Sequence, residues 1–137
     1  MTTKKVFLES LVNTDTKINK IISWSLKSVP NRLLTSSTIV LLPSMTSPEY
    51  IDRAKQIGYA PENVDTSYDR CNPDNLKVFT GAITRSVIFL SDGRCIDAEY
   101  LNNENGDHSP VRIIDDSEEI ASMVQWFASI WDSSSRL

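Results

Sequence analysis

The chain has 137 residues, of which 40% are hydrophobic and 23% charged, and its net charge is −4. This balance is typical of one globular domain and excludes a collagen-like, disordered or disulfide-dense chain. No apolar stretch reaches the roughly 18 residues that cross a membrane, and Glu9 interrupts the apolar run that a signal peptide would need. We therefore expect a single cytoplasmic domain over residues 1–137, with residues 132–137 as a frayed tail.

Basic and acidic side chains are concentrated at opposite ends of the chain. Residues 1–35 carry six basic and two acidic side chains, whereas residues 92–137 carry three basic and ten acidic ones. A basic segment is one way to bind nucleic acid, but proteins that fill a groove of DNA carry a denser basic footprint. Solvated surfaces explain the gradient more simply, so nucleic acid is the least favoured partner.

The first predicted element is an amphipathic helix over about residues 15–29. Thr14 or Asp15 can cap its amino terminus, and Pro30 ends it by restricting the backbone of the preceding residue. Trp24 lies off the apolar face, so we interpret it as a candidate partner-binding residue. The apolar residues recur three and four positions apart, as on one helical face: Ile18, Ile21, Ile22, Leu26 and Val29.

A strand, a loop and a helix follow in that order. Residues 38–43 form the predicted strand, and residues 48–57 form a helix that a glycine ends. The connecting loop holds Ser44, Thr46 and Ser47 beyond the carboxyl end of the strand, where open α/β sheets usually bind ligands. The loop is therefore either a ligand site or a plain connection.

The middle of the chain predicts a long loop and then antiparallel strands. Residues 60–75 are polar and hold two prolines, so they predict an irregular loop. Residues 76–79 predict a short strand. The clearest hairpin pairs residues 86–90 with a return strand through a turn at residues 91–94. A second polar loop spans residues 102–110.

The carboxyl-terminal part predicts a strand at residues 111–114 and a helix over residues 117–131. Trp126 lies off the apolar stripe of this helix and is a second candidate partner-binding residue. We interpret the acids at the corner as helix caps and dipole partners rather than as a cation site: Asp115, Asp116, Glu118 and Glu119. The apolar stripe has helical spacing: Ile120, Met123, Val124, Phe127 and Trp131.

In chain order, these elements predict an α/β fold, with α+β as the alternative. We expect helices to cover a mixed sheet that contains an antiparallel hairpin.

Two cysteines and one histidine limit the redox and metal chemistry of the chain. Cys71 and Cys95 are too few for a disulfide framework and lack metal-ligand spacing, so we expect two reduced thiols. With His108 they supply three soft ligands at most, whereas a structural zinc needs four. We therefore expect neither a metal nor a cofactor.

Residues from about 76 to 131 resemble the end of the phospholipase D-like domains of bacterial regulators. The resemblance covers about 55 residues. The shared pattern is a hairpin with an Asp-Gly turn, a strand, an acidic corner, and a helix ending in Phe-x-x-x-Trp. In this chain the pattern falls on Asp92-Gly93, residues 111–114, Asp115-Asp116, and Phe127 with Trp131.

The resemblance also implies what the catalytic site of such a domain would need. Catalytic members carry His-x-Lys-x-x-x-x-Asp, in which the imidazole attacks phosphorus and the lysine binds phosphate oxygens. In this chain His108 and Asp115 match the first and last positions, but Pro110 replaces the lysine. The resemblance therefore implies a member without catalysis.

Three functions remain open from the sequence. The leading hypothesis is a non-catalytic cytoplasmic regulatory, sensor or protein-interaction module, of a bacterial or phage defence system, that binds another protein subunit or forms a homo-oligomer. The first alternative is a phosphodiesterase- or nuclease-like enzyme that uses His108 and completes its site in a dimer. The second is a nucleic-acid-binding protein that uses Lys17, Lys20 and Lys27 of the predicted amino-terminal helix.

Overall fold

The chain folds around one seven-stranded sheet in the computed structural model, which describes residues 12–27, 29–58, 61–81, 85–99 and 111–137. Short 3-10 turns lie at Asn31–Leu33 and Pro73–Asn75. Within those ranges, none of the helices combines the length and the apolar character that a membrane crossing requires. In chain order the elements are β1 (Ile18–Ile22), β2 (Ile39–Pro43), α1 (Pro48–Ile57), α2 (Glu62–Tyr68), β3 (Leu76–Phe79), β4 (Arg85–Leu90), β5 (Cys95–Glu99), β6 (Val111–Ile114), α3 (Ser117–Ser133) and β7 (Ser135–Arg136).

The sheet is mixed, and its strand order is β6-β5-β4-β1-β2-β3-β7. Strands β1, β2 and β3 run parallel to one another, so their carboxyl ends meet at one edge of the sheet. Strand β4 pairs with β1 in the antiparallel sense, and β5, β6 and β7 extend the two sides antiparallel to their neighbours. The predicted α/β fold with a mixed sheet and an antiparallel hairpin is confirmed.

The sheet separates two hydrophobic clusters because successive residues of a strand point to opposite faces. Leu41 of β2, for example, belongs to one cluster and Val40 and Leu42 belong to the other. Helix α3 covers the first side, which we call the α3 face: Ile22, Leu41, Phe79, Val87, Phe89, Cys95, Ile114, Met123 and Phe127. The segment between β1 and β2 covers the second side, which we call the crossover face: Val12, Ile18, Ile21, Leu26, Val29, Leu33, Val40, Leu42, Leu76, Ile88, Leu90 and Ile96.

The predicted helix over residues 15–29 is wrong, because its first half is the central strand β1. The pairing register between β1 and β4 shifts between Ile18 and Lys20, which is a β-bulge. The bulge turns Ile18 and Ile21 to the crossover face although they are three residues apart, and Ile22 points to the α3 face. The resulting spacing of apolar residues is the same as that of a helix, so periodicity alone could not separate the two structures.

Two further predictions are wrong, and both missed regular structure in polar sequence. Residues 60–75 hold helix α2 and a 3-10 turn instead of an irregular loop. The tail at residues 132–137 is not frayed, because α3 continues to Ser133 and β7 then pairs with β3. The Arg136 guanidinium donates hydrogen bonds to the carbonyl oxygens of Pro73 and Asp74, which holds this short strand in place.

The elements with strong local signals lie where the sequence predicts them. Helix α1 begins after Ser47, whose hydroxyl accepts a hydrogen bond from the Tyr50 amide at 3.3 Å, and ends at Gly58 with φ of 69°. The hairpin β4–β5 and the strand β6 are confirmed. Asp116 caps α3 by accepting a hydrogen bond from the Glu119 amide at 2.9 Å. The polar loop predicted over residues 102–110 lies outside the described residues.

Candidate functional site

The predicted ligand loop lies at the carboxyl end of β2, as expected, but its hydroxyl groups bond within the loop and to α1. Ser44 and Thr46 hydroxyls contact each other at 3.1 Å, and the Ser47 hydroxyl donates to the Glu49 carboxylate at 2.8 Å while it caps α1. The contacts of Ser44, Thr46 and Ser47 give the loop a structural role as the connection into α1. At the carboxyl end of the neighbouring strand β1, the Ser23 hydroxyl likewise bonds locally, to the carbonyl oxygen of Ser25 at 2.8 Å.

Trp24 is fully buried, with 0% of its surface exposed, so the expectation that it lies on the surface is wrong. Its ring packs on Tyr50 of α1 with the ring centroids 5.0 Å apart. Ala54 and Val64 complete this small cluster, and Met45 of the predicted ligand loop packs against it. The structure thus brings Trp24 and the loop together, but as parts of a closed aromatic core.

Trp126 lies half-buried on α3, beside the apolar stripe that packs on the sheet. The Arg85 guanidinium of β4 lies 5.9 Å from the centre of its ring. The neighbouring aromatic residues of α3 also meet cations from the sheet, since Lys20 lies 5.6 Å from the Phe127 ring and Lys77 lies 4.7 Å from the Trp131 ring. Such contacts stabilise the docking of α3 on the sheet.

The structure describes both cysteines but not the histidine. Cys71 and Cys95 are both free thiols, and burial raises the pKa of Cys71 to about 11 and that of Cys95 to about 12. Both thiols are therefore protonated at neutral pH and are poor nucleophiles. His108 lies outside the described residues, so its catalytic role stays a prediction.

The lysines proposed to bind nucleic acid do not lie on one helical face, because the helix that would carry them is strand β1 and the segment after it. The Lys17 ammonium donates to the carbonyl oxygen of Arg32 at 2.6 Å. Lys20 lies on the opposite side, over Phe127 of α3. The observed strand removes the structural basis of the amino-terminal helix hypothesis.

A charged network joins β4, β5, β6 and the first turn of α3. Asp97 of β5 accepts hydrogen bonds from Arg85, including one from Nε at 2.8 Å, and from Arg112 at 3.4 Å. The Arg112 guanidinium also lies 2.7 Å from the Glu119 carboxylate of α3. The hydrogen bonds from Arg85 lower the pKa of Asp97, so this carboxylate stays ionised. The network fixes the edge of the sheet to the helix above it.

Strand β6 is the open edge of the sheet, because in the described part of the chain it pairs with β5 alone. Ile113 points away from α3 and is 42% exposed, although its neighbour across the pair, Ile96, is buried. Exposed apolar side chains on an unpaired strand mark a surface that can add a further strand. The opposite edge is better protected, since β7 has only two residues and its arginine folds back onto the chain.

The open edge continues into an acidic corner. Asp115, Asp116 and Glu118 are exposed there, and Glu119 pairs with Arg112. Arg112 remains 54% exposed despite its two carboxylate partners. No group of three or more metal-binding side chains occurs in the ranges that the structure covers. We call strand β6 with residues 115–119 the edge site.

A separate cleft of about 590 Å³ lies between the end of α2, the turn at Pro73–Asn75 and β7. Its walls hold the carboxylates of Asp69 and Asp74. The Arg136 guanidinium also lines the cleft, but it bonds to backbone carbonyl oxygens and not to these carboxylates. Neither the predicted ligand loop nor a tryptophan lines this cleft. The full lining is Tyr68, Asp69, Pro73, Asp74, Leu76, Arg136 and Leu137.

Sequence reasoning missed the edge site because it treated residues 111–119 as a strand and a set of caps. The available signal was the alternation of Arg112 and Ile113, which places one polar and one apolar side chain on opposite faces of a strand. Whether β6 would lie at an edge depends on the order of the strands, which local pattern does not encode.

In comparisons with known proteins, no family model, curated protein or solved structure matches this chain. The resemblance to phospholipase D-like domains therefore stays a prediction.

Proposed function

We propose that this protein is a non-catalytic regulatory module of the cytoplasm that binds another protein through the edge site. The observation that carries the proposal is Ile113, an isoleucine 42% exposed on a strand that pairs with β5 on one side and has no strand on its other side among the described residues. A partner strand added at this edge would satisfy the outward backbone groups of β6 and bury the isoleucine.

The rigidity of the edge site also supports the proposal. Arg112 contacts both Asp97 and Glu119, so its side chain joins β6 to the neighbouring strand and to α3 without a partner. A surface that is already ordered loses less conformational entropy on binding than a flexible one. The acidic corner beside the strand would orient a partner that carries positive charge at the matching position and would raise its association rate.

The test is affinity purification of the tagged chain from its native host, followed by mass spectrometry. The bait is compared with two matched variants, Ile113→Lys at the edge and Ile51→Lys on α1. Ile51 is a suitable control because it is exposed to a similar extent, 39%, on a different element. We expect a specific set of proteins, or the untagged native copy of the chain if the partner is a second copy, to be retained by the wild type and by Ile51→Lys and to be lost with Ile113→Lys.

Retention that is the same for all three baits would contradict the proposal. A phosphodiesterase activity that disappears on His108→Ala would replace it with the enzymatic alternative. Both variants must have the same free energy of unfolding as the wild type to within about 0.5 kcal/mol, which is the usual range for surface substitutions.

A further inference from the structure

We propose that the edge site binds a second copy of the same chain, through antiparallel pairing of two β6 strands about a two-fold axis at Ile113. This inference rests on the proposed function, since it names the partner of the same site. A two-fold interface uses the same patch on both copies, so the edge site must be complementary to itself in shape and charge.

The pairing register follows from the geometry of the strand. A two-fold axis perpendicular to the sheet places each side chain opposite one on the same face, so the axis must lie between one residue of β6 and the same residue of the other copy. An axis at Arg112 would put two like charges opposite each other, which is unfavourable. An axis at Ile114 would bring together two side chains that are already buried under α3 and would leave Ile113 opposite an aspartate.

The register centred on Ile113 has neither defect. It places the exposed Ile113 side chains of the two copies against each other on the crossover face. On the α3 face each Arg112 lies opposite Ile114 of the other copy and diagonally between Arg112 and Asp116 of that copy, within the reach of a long side chain. Each guanidinium keeps its own carboxylate partners, Asp97 and Glu119, which offset the charge of the second arginine. Arg112 is 54% exposed and therefore has room for a further carboxylate.

The acidic corners do not oppose this arrangement, because antiparallel pairing moves them to opposite ends of the interface. Asp115 of one copy would face residue 111 of the other, four residues from the second Asp115. Four residues of strand span about 13 Å, which exceeds the Debye length of about 8 Å at physiological ionic strength. Repulsion between the corners is therefore largely screened.

Helix α3 begins over the edge strand and runs from there towards β3, so only its first turn lies near a second copy. Its first turn lies at β6 through Glu119 and Arg112, its middle lies over β4 and β1 through Trp126 and Phe127, and its last turns lie over β3 through Trp131. The helix thus crosses the sheet away from the open edge. Two copies would form one continuous sheet with both α3 helices on the same side.

Sedimentation velocity of the purified 137-residue chain over a concentration series tests the proposal. We expect a weak, concentration-dependent dimer, because a contact between two short strands is small. Ile51→Lys should dimerise like the wild type, whereas Ile113→Lys should need at least about tenfold more protein to reach the same dimer fraction. Identical association of all three proteins, or a wild type that stays monomeric up to about 1 mM, would overturn the proposal.

Cysteine cross-linking tests the register and does not depend on how well the lysine variant folds. Ile113→Cys should form a disulfide-linked dimer in oxidised glutathione, because the two positions lie opposite each other across the axis. Ile51→Cys, with the same two native thiols, is the control and should remain monomeric. Equal cross-linking of the two variants would overturn the register.

The outcomes separate this inference from the proposed function. If the purified wild type is monomeric but capture from the host depends on Ile113, the second copy is excluded and the edge site binds a different protein. If neither measurement depends on Ile113, the inference and the proposed function both fail.

Discussion

Two tyrosines near the carboxyl end of β2 differ in what their hydroxyl groups contact. Tyr68 donates a hydrogen bond to the carbonyl oxygen of Pro43, whereas the buried Tyr50 hydroxyl has no hydrogen-bond partner among the described residues. Burial raises the pKa of each to about 12, so both hydroxyls keep their protons at neutral pH. Tyr50 thus bears the desolvation cost of a polar group without the compensating bond.

This contrast predicts that the change from tyrosine to phenylalanine has different effects on stability at the two positions. Tyr68→Phe should lower the free energy of unfolding by about 1 kcal/mol, because it removes a partly buried hydrogen bond and leaves the Pro43 carbonyl group without that donor. Tyr50→Phe should leave the free energy of unfolding unchanged or raise it, because only an unpaired hydroxyl is lost. Urea denaturation of the two variants measures the difference. Equal destabilisation by both substitutions would show that Tyr50 has a partner that this structure does not contain.

At the scale of elements, the charged network makes the attachment of β6 and α3 dependent on pH. Asp97 has a folded pKa below its unfolded value of about 3.9, chiefly because Arg85 donates hydrogen bonds to it. A group whose pKa is lowered on folding contributes stability that is complete above the unfolded pKa and is lost as the pH falls through the folded pKa. The contribution of Asp97 should therefore be present at neutral pH and absent in strong acid.

Asp97→Asn should accordingly lower the free energy of unfolding by about 1–2 kcal/mol at pH 7, where the substitution removes a charged acceptor shared by two arginines. The difference between Asp97→Asn and the wild type should shrink steadily below about pH 4. Urea denaturation at a series of pH values measures it, and Asp52→Asn on the exposed side of α1 is the matched control. A difference that is independent of pH would assign the loss to packing instead of charge.

Some elements of the fold are determined by local sequence signals, and others are determined by their position in the sheet. Helix α1 and the hairpin β4–β5 were predictable because a cap at Ser47, a left-handed Gly58 and a turn glycine act within a few residues. Strand β1 was not predictable, because only its position between β2 and β4 and its bulge decide which face each isoleucine occupies. Helix α2 and strand β7 have weak local signals, and their neighbours in the fold hold them in place.

The same division applies to the candidate site. Sequence reasoning could identify Asp116 as a cap and the stripe around Phe127 as core, because both follow from spacing along one helix. It could not identify Trp24 as buried, since the residue packs on Tyr50 from a distant part of the chain. It also could not find the edge site, because the edge of a sheet is a property of strand order.

At the scale of the whole molecule, the central strands connect both hydrophobic clusters. Strand β2 contributes Leu41 to the α3 face and Val40 and Leu42 to the crossover face, and β4 alternates in the same way. The two clusters take side chains from the same central strands. If one cluster unfolds and these strands separate, the other cluster therefore loses the sheet on which it packs. The molecule should therefore unfold in a single cooperative transition, as small single domains usually do.

The tryptophans allow this prediction to be tested on the α3 face and in the small cluster that holds Trp24. That cluster adjoins the crossover face, because Tyr68 packs against both. In Trp24→Phe, fluorescence reports the two tryptophans of α3, and in the double variant Trp126→Phe and Trp131→Phe it reports Trp24 in the cluster with Tyr50. Within each variant, the urea midpoint from fluorescence should equal the midpoint from far-ultraviolet circular dichroism, even if the substitution itself lowers stability. Because each variant supplies its own reference, a loss of packing cannot imitate the result. A fluorescence midpoint below the circular dichroism midpoint in one variant alone would show that this side of the molecule unfolds separately, and that the shared strands do not couple the two clusters.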